Sequence, residues 1–319
     1  MQQTQQKLVS IIVITYNSIG EISECLDAVL YPFNNDIELI VIDNVSKDGT
    51  IELLKQKYSN DKRINLIFNN ENTGFARACN QGAAIASGKY LLLLNPDTIA
   101  PLSGIVELIH YSESHAEIGM IGPRITDEYG NIQESYGYDL TPKQEFIGKV
   151  LYSKHMEVFP FIKKWKKQNL STSKISEVGW IGGACMLIKR ELYTKINGID
   201  LHFFLSHADM IDLGKRIKDL GYKIVLYPKV SIVHKGSKSI VNNRDSVLRI
   251  AYGGTLYFFE KYYSKTTVFL IKFLYVIISL IKSIVAFPLS LFKKDPYGDI
   301  ATAHFKNAIR IITGTLVKK

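Results

Sequence analysis

The sequence predicts an α/β protein: a mostly parallel central sheet flanked by helices, with amphipathic helices at its C-terminal end. Three observations predict it. Short apolar runs alternate with stretches of helical spacing from Leu8 to Thr98, the pattern of βαβ units. Each run ends in a polar or acidic residue: Asn17, Asp43, Asn69 and Asp97. One run, inside Tyr90–Thr98 (YLLLLNPDT), holds four uninterrupted leucines, which suits a strand buried on both faces of a parallel sheet.

The elements follow in order. Leu8–Ile14 (LVSIIVI) is the first strand, with Thr15, Tyr16 and Asn17 behind it. Ile22, Cys25, Leu26 and Val29 recur at helical spacing within Glu21–Leu30. Ile37–Ile42 is the second strand and ends at Asp43-Asn44; Ile51–Tyr58 is the next helix, capped by Asp48 or Thr50. Ile64–Phe68 is the third strand, and NENTGFARACNQG (Asn70–Gly82) opens a helix that ends near Gly88. In the leucine run Pro96 cannot continue a ladder, so the strand stops and Asp97 stands just past its carboxyl end. The carboxyl ends of parallel strands share one edge of a sheet. Four separate stretches therefore converge on one cleft, where open α/β sheets bind ligands.

With 319 residues, 46% hydrophobic and 22% charged, the chain is globular and long enough for one large domain or two ordinary ones. Cys25, Cys79 and Cys185 are scattered and no CxxC pair occurs, which argues against a disulfide framework or zinc site and for a reducing compartment. The first seven residues are polar and no apolar segment follows them, so no secretory signal is expected. No GxGxxG follows the first strand and no GxxxxGK[ST] is present, which excludes the Rossmann dinucleotide site and the P-loop.

The net charge of +9 is uneven: residues 261–319 hold ten Lys/Arg against two Asp/Glu, and the remainder is nearly balanced. A second basic cluster, Lys143–Lys174, has eight lysines against Glu145 and Glu157. Such bias points to an anionic membrane surface or to nucleic acid. The basic residues sit among aliphatic ones rather than in a polar groove, which favours the membrane over nucleic acid.

Individual residues allow chemistry but do not fix it. The Asp97 carboxylate can hold a hard cation, and the cation a diphosphate, or Asn95-Pro96-Asp97 can simply close a core strand. Asp43 can accept the imide N–H of uracil or thymine, or start the following helix. Gly74 permits close backbone approach, and Arg77 at a helix start reaches phosphate or stays solvated.

Together the segments TYN, VIDNVSKDGT, NENTGFARACNQG and LLLLNPDT, in this order and spacing, resemble the family-2 inverting glycosyltransferases of GT-A fold. WIGGACMLIKRELYTKINGID (Trp180–Asp200) and LYPKVSIVHKGSKS (Leu226–Ser239) resemble that family's later motifs, and the NPD and NTGF forms are like its rhamnosyltransferase-type members. The likeness covers roughly residues 8–260, the expected catalytic domain, with 143–176 a basic and aromatic insertion. It implies that Thr15, Tyr16, Asn17, Asp43 and Asn44 contact nucleobase and ribose, and that Asn72, Gly74, Phe75 and Arg77 line the nucleotide and its diphosphate. Asn95 and Asp97 stand at the family's D-x-D metal motif, for Mg2+ or Mn2+. The chain departs from that motif at Asn95, where an acid is usual.

The same resemblance places a catalytic base in Gly198–Arg216 (GIDLHFFLSHADMIDLGKR). Asp200 matches the first acid, while Leu201 stands where Glu is usual. His207-Ala208-Asp209 resembles an H-V-D form of the base motif, which makes Asp209 the expected base. Asp212 is its rival, one residue past the next family acid, and helical spacing puts both on one face. His207 orients the acceptor or starts a helix. Trp180 stacks on an acceptor ring or fills core, and Gly182-Gly183 allow close approach beside the sugar. His234, at the end of VSIVH, stands near metal and diphosphate by the resemblance or is a structural histidine at a strand end, and Lys235 and Lys238 are placed where they could face phosphate.

Phe159, Phe161, Ile162 and Trp165 beside four lysines suit an interfacial contact or the buried side of a solvated helix. In the tail, 261–319, the apolar run Thr267–Phe292 is interrupted by Lys272 and Lys282, leaving less than the ~20 residues of a spanning helix. Turned at about 100° per residue, Lys265, Lys272, Ser279, Lys282, Ser283, Ser290, Lys293 and Lys294 share one arc. That predicts an in-plane membrane helix kinked at Pro288, or one sealed onto the protein's own core or a homodimer partner. The whole reads as a cytoplasmic enzyme, peripheral on the inner face of the plasma membrane. It would pass a sugar, rhamnose by the closest motif forms, from a dTDP- or UDP-linked donor to a lipid-linked or polysaccharide acceptor. A UDP-hexose transferase and a catalytically inactive scaffold are the alternatives.

Overall fold

The computed structural model describes residues 7–31, 36–150, 174–203, 208–236, 244–292 and 297–316. His207, Lys238, most of the 143–176 insertion and the terminal lysines lie outside the described residues. The chain divides into two units: residues 1–139, 170–202 and 210–237, and residues 140–169, 203–209 and 238–319. Within the second unit the helix over Arg244–Tyr262 shares a core with the tail helices.

The first unit holds the sheet. Its strands are β1 (Val9–Thr15), β2 (Ile37–Asp43), β3 (Ile64–Phe68), β4 (Tyr90–Leu94), β5 (Thr98–Ile99), β6 (Ile118–Thr126), β7 (Ile132–Gln133), β8 (Tyr136–Gly137), β9 (Ser176–Glu177), β10 (Trp180–Ile181), β11 (Cys185–Lys189) and β12 (Lys223–His234). The order is β3-β2-β1-β4-β11-β6-β12-β5, with β7 on β6, β9 on β12, and β8 paired with β10 apart. β1 to β4 are mutually parallel where they pair, and β12 runs parallel to β6. β11 enters antiparallel between β4 and β6, so the sheet is mixed but mostly parallel, as expected.

Alternation along the strands feeds two core layers. Val9, Ile11, Val13, Leu92 and Leu94 pack with helices α1 (Ile22–Leu30), α2 (Thr50–Tyr58) and α4 (Leu102–Glu113). Ile12, Ile14, Leu91 and Leu93 pack with α3 (Phe75–Ile85), α6 (Arg190–Lys195) and α7 (Ala208–Asp219) on the other face. All four leucines of β4 are at most 2% exposed, the double burial that their unbroken run requires. Ser10 is a buried polar residue within β1; its hydroxyl accepts the Gly88 N–H at 2.8 Å. A Cβ on Gly88 would fall 2.4 Å from Ser10 N, so only glycine lets the turn before β4 lie this close.

Register sets the strand ends level. Thr15 pairs with Asp43, Asp43 with Phe68, and Val13 with Leu94. The residues after each strand therefore emerge at one edge.

The second unit contains α5 (Pro142–Val150), α8 (Arg244–Tyr262), α9 (Lys265–Phe292) and α10 (Tyr297–Thr313). Tyr252, Leu256, Phe259, Val268, Ile271, Tyr275 and Ile311 form its core. Part of the polar arc of α9 faces protein, as the alternative of a helix sealed onto the protein's own core implies. Ser279 is fully buried and accepts from Asn307 Nδ2 at 3.1 Å; Ser283 Oγ donates to Ala301 O at 2.9 Å; Lys272 pairs with Glu260 at 2.7 Å. Ser279 and Ser283 are taken up between helices, because each finds a hydrogen-bonding partner there and the large apolar side chains do not. Phe269, Leu270, Phe273, Ile281, Ile284, Val285, Phe287 and Leu291 are left pointing outward. By length and composition alone, Lys265–Pro288 is also apolar enough to cross a membrane.

Candidate functional site

The polar edge of the sheet is tied together by side-chain amides and hydroxyls. Asn44 Oδ1 accepts from Asn69 Nδ2 at 2.9 Å and from Thr73 Oγ1 at 3.2 Å, while Asn44 Nδ2 donates to Gly74 O at 3.4 Å. Gln81 Nε2 donates to Asn69 Oδ1 at 3.0 Å, which anchors the same network to α3. Asn17, at φ +53, takes the left-handed conformation that asparagine tolerates. It donates its N–H to Ser46 Oγ and accepts the Lys47 N–H at Oδ1, each at 2.8 Å. Three of the four predicted loops are thereby joined.

Asp43 is fully buried, and both its oxygens are engaged by Ser46: Oδ1 by the backbone N–H at 2.8 Å and Oδ2 by the hydroxyl. This is a turn-closing carboxylate. A carboxylate has about four lone-pair positions, so acceptor capacity toward a base remains. Tyr16 is exposed beside it. Asp48 binds the neighbouring loop. Partial burial acts to raise its pKa, but hydrogen bonds from the Thr50 hydroxyl and the Ile19 and Thr50 N–H groups outweigh this and hold it below the usual carboxylate range.

Asn72 Oδ1 accepts the Gly74 N–H at 3.0 Å, and Gly74 sits at φ +78, ψ 168. That region is open essentially to glycine alone. Phe75 and Arg77 follow in the first turn of α3; Arg77 is exposed and Phe75 half-buried. A Cβ on Gly183 would lie 3.4 Å from Phe75 Cζ and 4.0 Å from Met210 Sδ. The structure thus brings the NTGF loop, the Gly182-Gly183 turn and Met210 of α7 together. Gly182 N donates to Ser135 O at 2.6 Å, and the Trp180 ring lies on Gly137 with no room for a Cβ.

The leucine strand ends as its sequence implies. Thr98 N donates to Asn95 O at 3.1 Å, closing the turn. Cys25 Sγ donates to the same oxygen at 3.4 Å; burial pushes that thiol far up, so it remains a donor. Asp97 is 3% exposed. Its Oδ1 is 3.3 Å from His234 Nε2, and its Oδ2 is buried with no hydrogen-bond partner among the described residues. The hydroxyls of Thr15 and Thr98 are unsatisfied in the same way. Buried polar atoms are normally paired, so the orphaned Asp97 oxygen beside the His234 ring is an acceptor open to a polar ligand.

Asn95 Nδ2 stands 3.4 Å from His234 Nε2. On the other side of the ring, His234 Nδ1 is 2.8 Å from Gln133 Oε1. Sequence reading missed Gln133. It lies in a two-residue strand, 101 residues from its partner, and no local pattern marks it. Among the described residues no group of three His, Cys, Asp or Glu converges, so Asp97 and His234 form a two-residue donor set. An orphaned carboxylate oxygen beside an imidazole nitrogen fits a hard or borderline cation whose remaining ligands come from substrate oxygens.

The two candidate bases differ sharply. Asp212 is fully buried; Arg216 Nε donates to its Oδ2 at 2.7 Å, and Arg216 also donates to Ile196 O and Gly198 O. Asp209, in the first turn of α7, is 6% exposed. Asp200 accepts from the backbone and ring of His202.

A sheet of this order with a polar carboxyl edge defines a GT-A, nucleotide-diphospho-sugar transferase fold. It is similar to a Pyrobaculum calidifontis mannosyltransferase solved with GDP-mannose and Mn2+, at 18% identity and TM-score 0.53, covering 98% of this chain and 88% of that one. It is also similar to GalNAc-T7 solved with UDP, GalNAc and Mn2+, at 15% identity and TM-score 0.54, over 77% of this chain and 48% of that one. The model of glycosyl transferase family 2 matches residues 10–196, and the chain belongs to that family. An N-acetylglucosaminyl-diphospho-decaprenol L-rhamnosyltransferase of Mycobacterium tuberculosis is 23% identical over 260 residues, 76% of this chain and 80% of its own. Glycosyltransferase GlyG of Streptococcus pneumoniae is 25% identical over 64% of each chain.

Proposed function

We propose that this protein is an inverting, metal-assisted glycosyltransferase of surface-glycan synthesis, moving a deoxyhexose such as rhamnose from a dTDP- or UDP-sugar to a lipid-linked acceptor. The observation that carries the reading is the Asp97–His234 pair, with a buried carboxylate oxygen left unsatisfied at the carboxyl edge of the sheet. The decaprenol-linked acceptor named for the mycobacterial relative supports the choice of acceptor.

Asp97 and His234 would hold Mg2+ or Mn2+, which when bound neutralises charge on the departing diphosphate. Tyr16 and Asp43 receive the base, and the Asn72–Arg77 loop receives the diphosphate. Asp209 accepts the proton of the acceptor hydroxyl as that oxygen bonds to the anomeric carbon, and the bond to the diphosphate breaks on the opposite face. Asp209 is favoured over Asp212 because the Arg216 ion pair and full burial commit Asp212 to the fold.

The helical unit would rest on the cytoplasmic face of the membrane through the outward apolar side of α9, where a lipid-linked acceptor is met. A donor screen with purified protein tests the reading. Mn2+-dependent release of nucleotide from one dTDP- or UDP-sugar, abolished by Asp209→Asn, is expected. No turnover of any donor would leave the inactive scaffold.

A further inference from the structure

We infer that Gln133 is a positioning residue, whose side-chain amide locks His234 in the Nδ1–H tautomer and so turns the Nε2 lone pair toward Asp97. The inference rests on the metal reading above and adds to it the group that prepares the histidine.

The assignment follows from donors and acceptors. Gln133 contacts His234 twice: its Nε2 is 2.8 Å from His234 O, and its Oε1 is 2.8 Å from His234 Nδ1. A carbonyl only accepts, so the amide nitrogen must face it and the amide oxygen must face the ring. That oxygen also only accepts, so Nδ1 carries the proton. A neutral imidazole has one N–H, which leaves Nε2 bare.

The surroundings of Nε2 then become informative. Its neighbours are Asp97 Oδ1 at 3.3 Å and Asn95 Nδ2 at 3.4 Å. In the neutral ring a lone pair facing a carboxylate oxygen in a buried site is repulsive unless positive charge, a metal cation or a proton taken up by Nε2, lies between them. The Asn95 amide, standing where the family usually has an acid, is the one donor of the two and can relieve that repulsion. A clamp that forces this tautomer works against the isolated fold and for a cation. Such outer partners of a metal-binding histidine orient the ring and raise its basicity.

The backbone makes the clamp stiff. Gln133 pairs with Ile125 in β7–β6, Val233 pairs with Thr126 in β12–β6, and His234 pairs with Thr98 in β12–β5. Both partners are thus carried by the same run of four paired strands, β7-β6-β12-β5, and neither sits on a free loop.

The test uses the full-length protein labelled with 15N-histidine, at a pH where the ring is neutral, together with Mn2+ binding followed by electron paramagnetic resonance in the presence of UDP. Gln133→Leu removes both contacts; Gln133→Glu keeps the acceptor toward Nδ1. In the wild type the ring resonances of His234 are expected to show a protonated Nδ1 and a bare Nε2. Gln133→Leu should shift them toward the other tautomer and weaken Mn2+ about 10–100-fold. Gln133→Glu should keep the wild-type tautomer and most of the Mn2+ affinity even where its melting temperature falls, which a merely structural role would not produce. An unchanged tautomer and unchanged Mn2+ affinity in Gln133→Leu would overturn the inference. Failure of the wild type itself to bind Mn2+ would remove the metal reading, while the tautomer comparison still decides whether Gln133 sets the ring.

Discussion

Arg216 donates to Asp212 from one turn further along the same helix, 2.7 Å from Nε to Oδ2, and the carboxylate has no exposed surface. Arg216 carries the link onward to the carbonyls of Ile196 and Gly198, so one guanidinium ties α7 to the turn after α6. Removing one partner of a buried ion pair strands the other charge. Asp212→Ala is therefore expected to cost about 3–5 kcal/mol of stability. Asp209→Asn is expected to fold like the wild type and lose transfer. Thermal melts beside a transfer assay separate the two, and a stable but inactive Asp212 variant would reverse the assignment of the base.

Asp97 gives the opposite pattern. Its Oδ1 faces the His234 ring, but its buried Oδ2 has no hydrogen-bond partner among the described residues, and that unmade hydrogen bond is a cost to the unliganded fold. Asp97→Asn keeps the shape, removes the charge and supplies a donor toward Nε2. It is expected to leave stability unchanged or raise it by about 1 kcal/mol. Mn2+ with UDP should raise the melting temperature of the wild type and not of this variant, because a ligand stabilises only what it binds. A metal-induced rise retained in Asp97→Asn would move the cation site elsewhere.

These sites show what the chain discloses locally and what it does not. Strands that end in polar residues, and the leucine run above all, carried the sheet and the placement of Asp97, because burial on both faces dictates composition directly. β11 was not foreseen as an antiparallel strand: CMLIK is apolar whichever way it runs, and direction is set by the chain between β6 and β11. Gln133 was invisible because its meaning lies wholly in a residue 101 positions away. The arc of polar residues on α9 was legible as an arc. Its direction was not, since helical periodicity says which residues share a face but not which face meets protein.

His304 is expected to make the helical unit acid-sensitive. Burial first, then the positive charges of Lys282 and Arg244, lower its pKa from 6.5 to about 4. The unfolded chain therefore takes up this proton at higher pH than the folded chain. The stability it protects is whole above pH about 6.5 and falls away as the pH drops from there to about 4, by about 3 kcal/mol in all. Unfolding of the wild type and of His304→Gln, compared between pH 7.5 and 4 in about equal steps, reads the difference. The variant should lose less over this window, and parallel curves would show that His304 is not the group responsible.

The outward apolar side of α9 is best tested without truncation. Tyr252, Leu256 and Phe259 of α8 share a core with Val268, Ile271 and Tyr275 of α9, so deleting the tail would bare that core and confuse loss of fold with loss of binding. Phe273 and Ile284 are exposed, at 57% and 69%, and single polar substitutions there should change folded stability by no more than about 0.5 kcal/mol. Full burial of one such side chain in lipid is worth about 1.5–3 kcal/mol. Phe273→Glu is accordingly expected to weaken binding to vesicles rich in phosphatidylglycerol about tenfold or more, and Phe273→Glu with Ile284→Glu to abolish it. The melting temperature of the unbound protein should stay where it was. A Ser279→Ala variant supplies the contrast: Ser279 faces Asn307 inside the unit, so its loss should lower stability and leave vesicle affinity alone. Binding that survives both outward substitutions would mean that this face is not the one lipid covers.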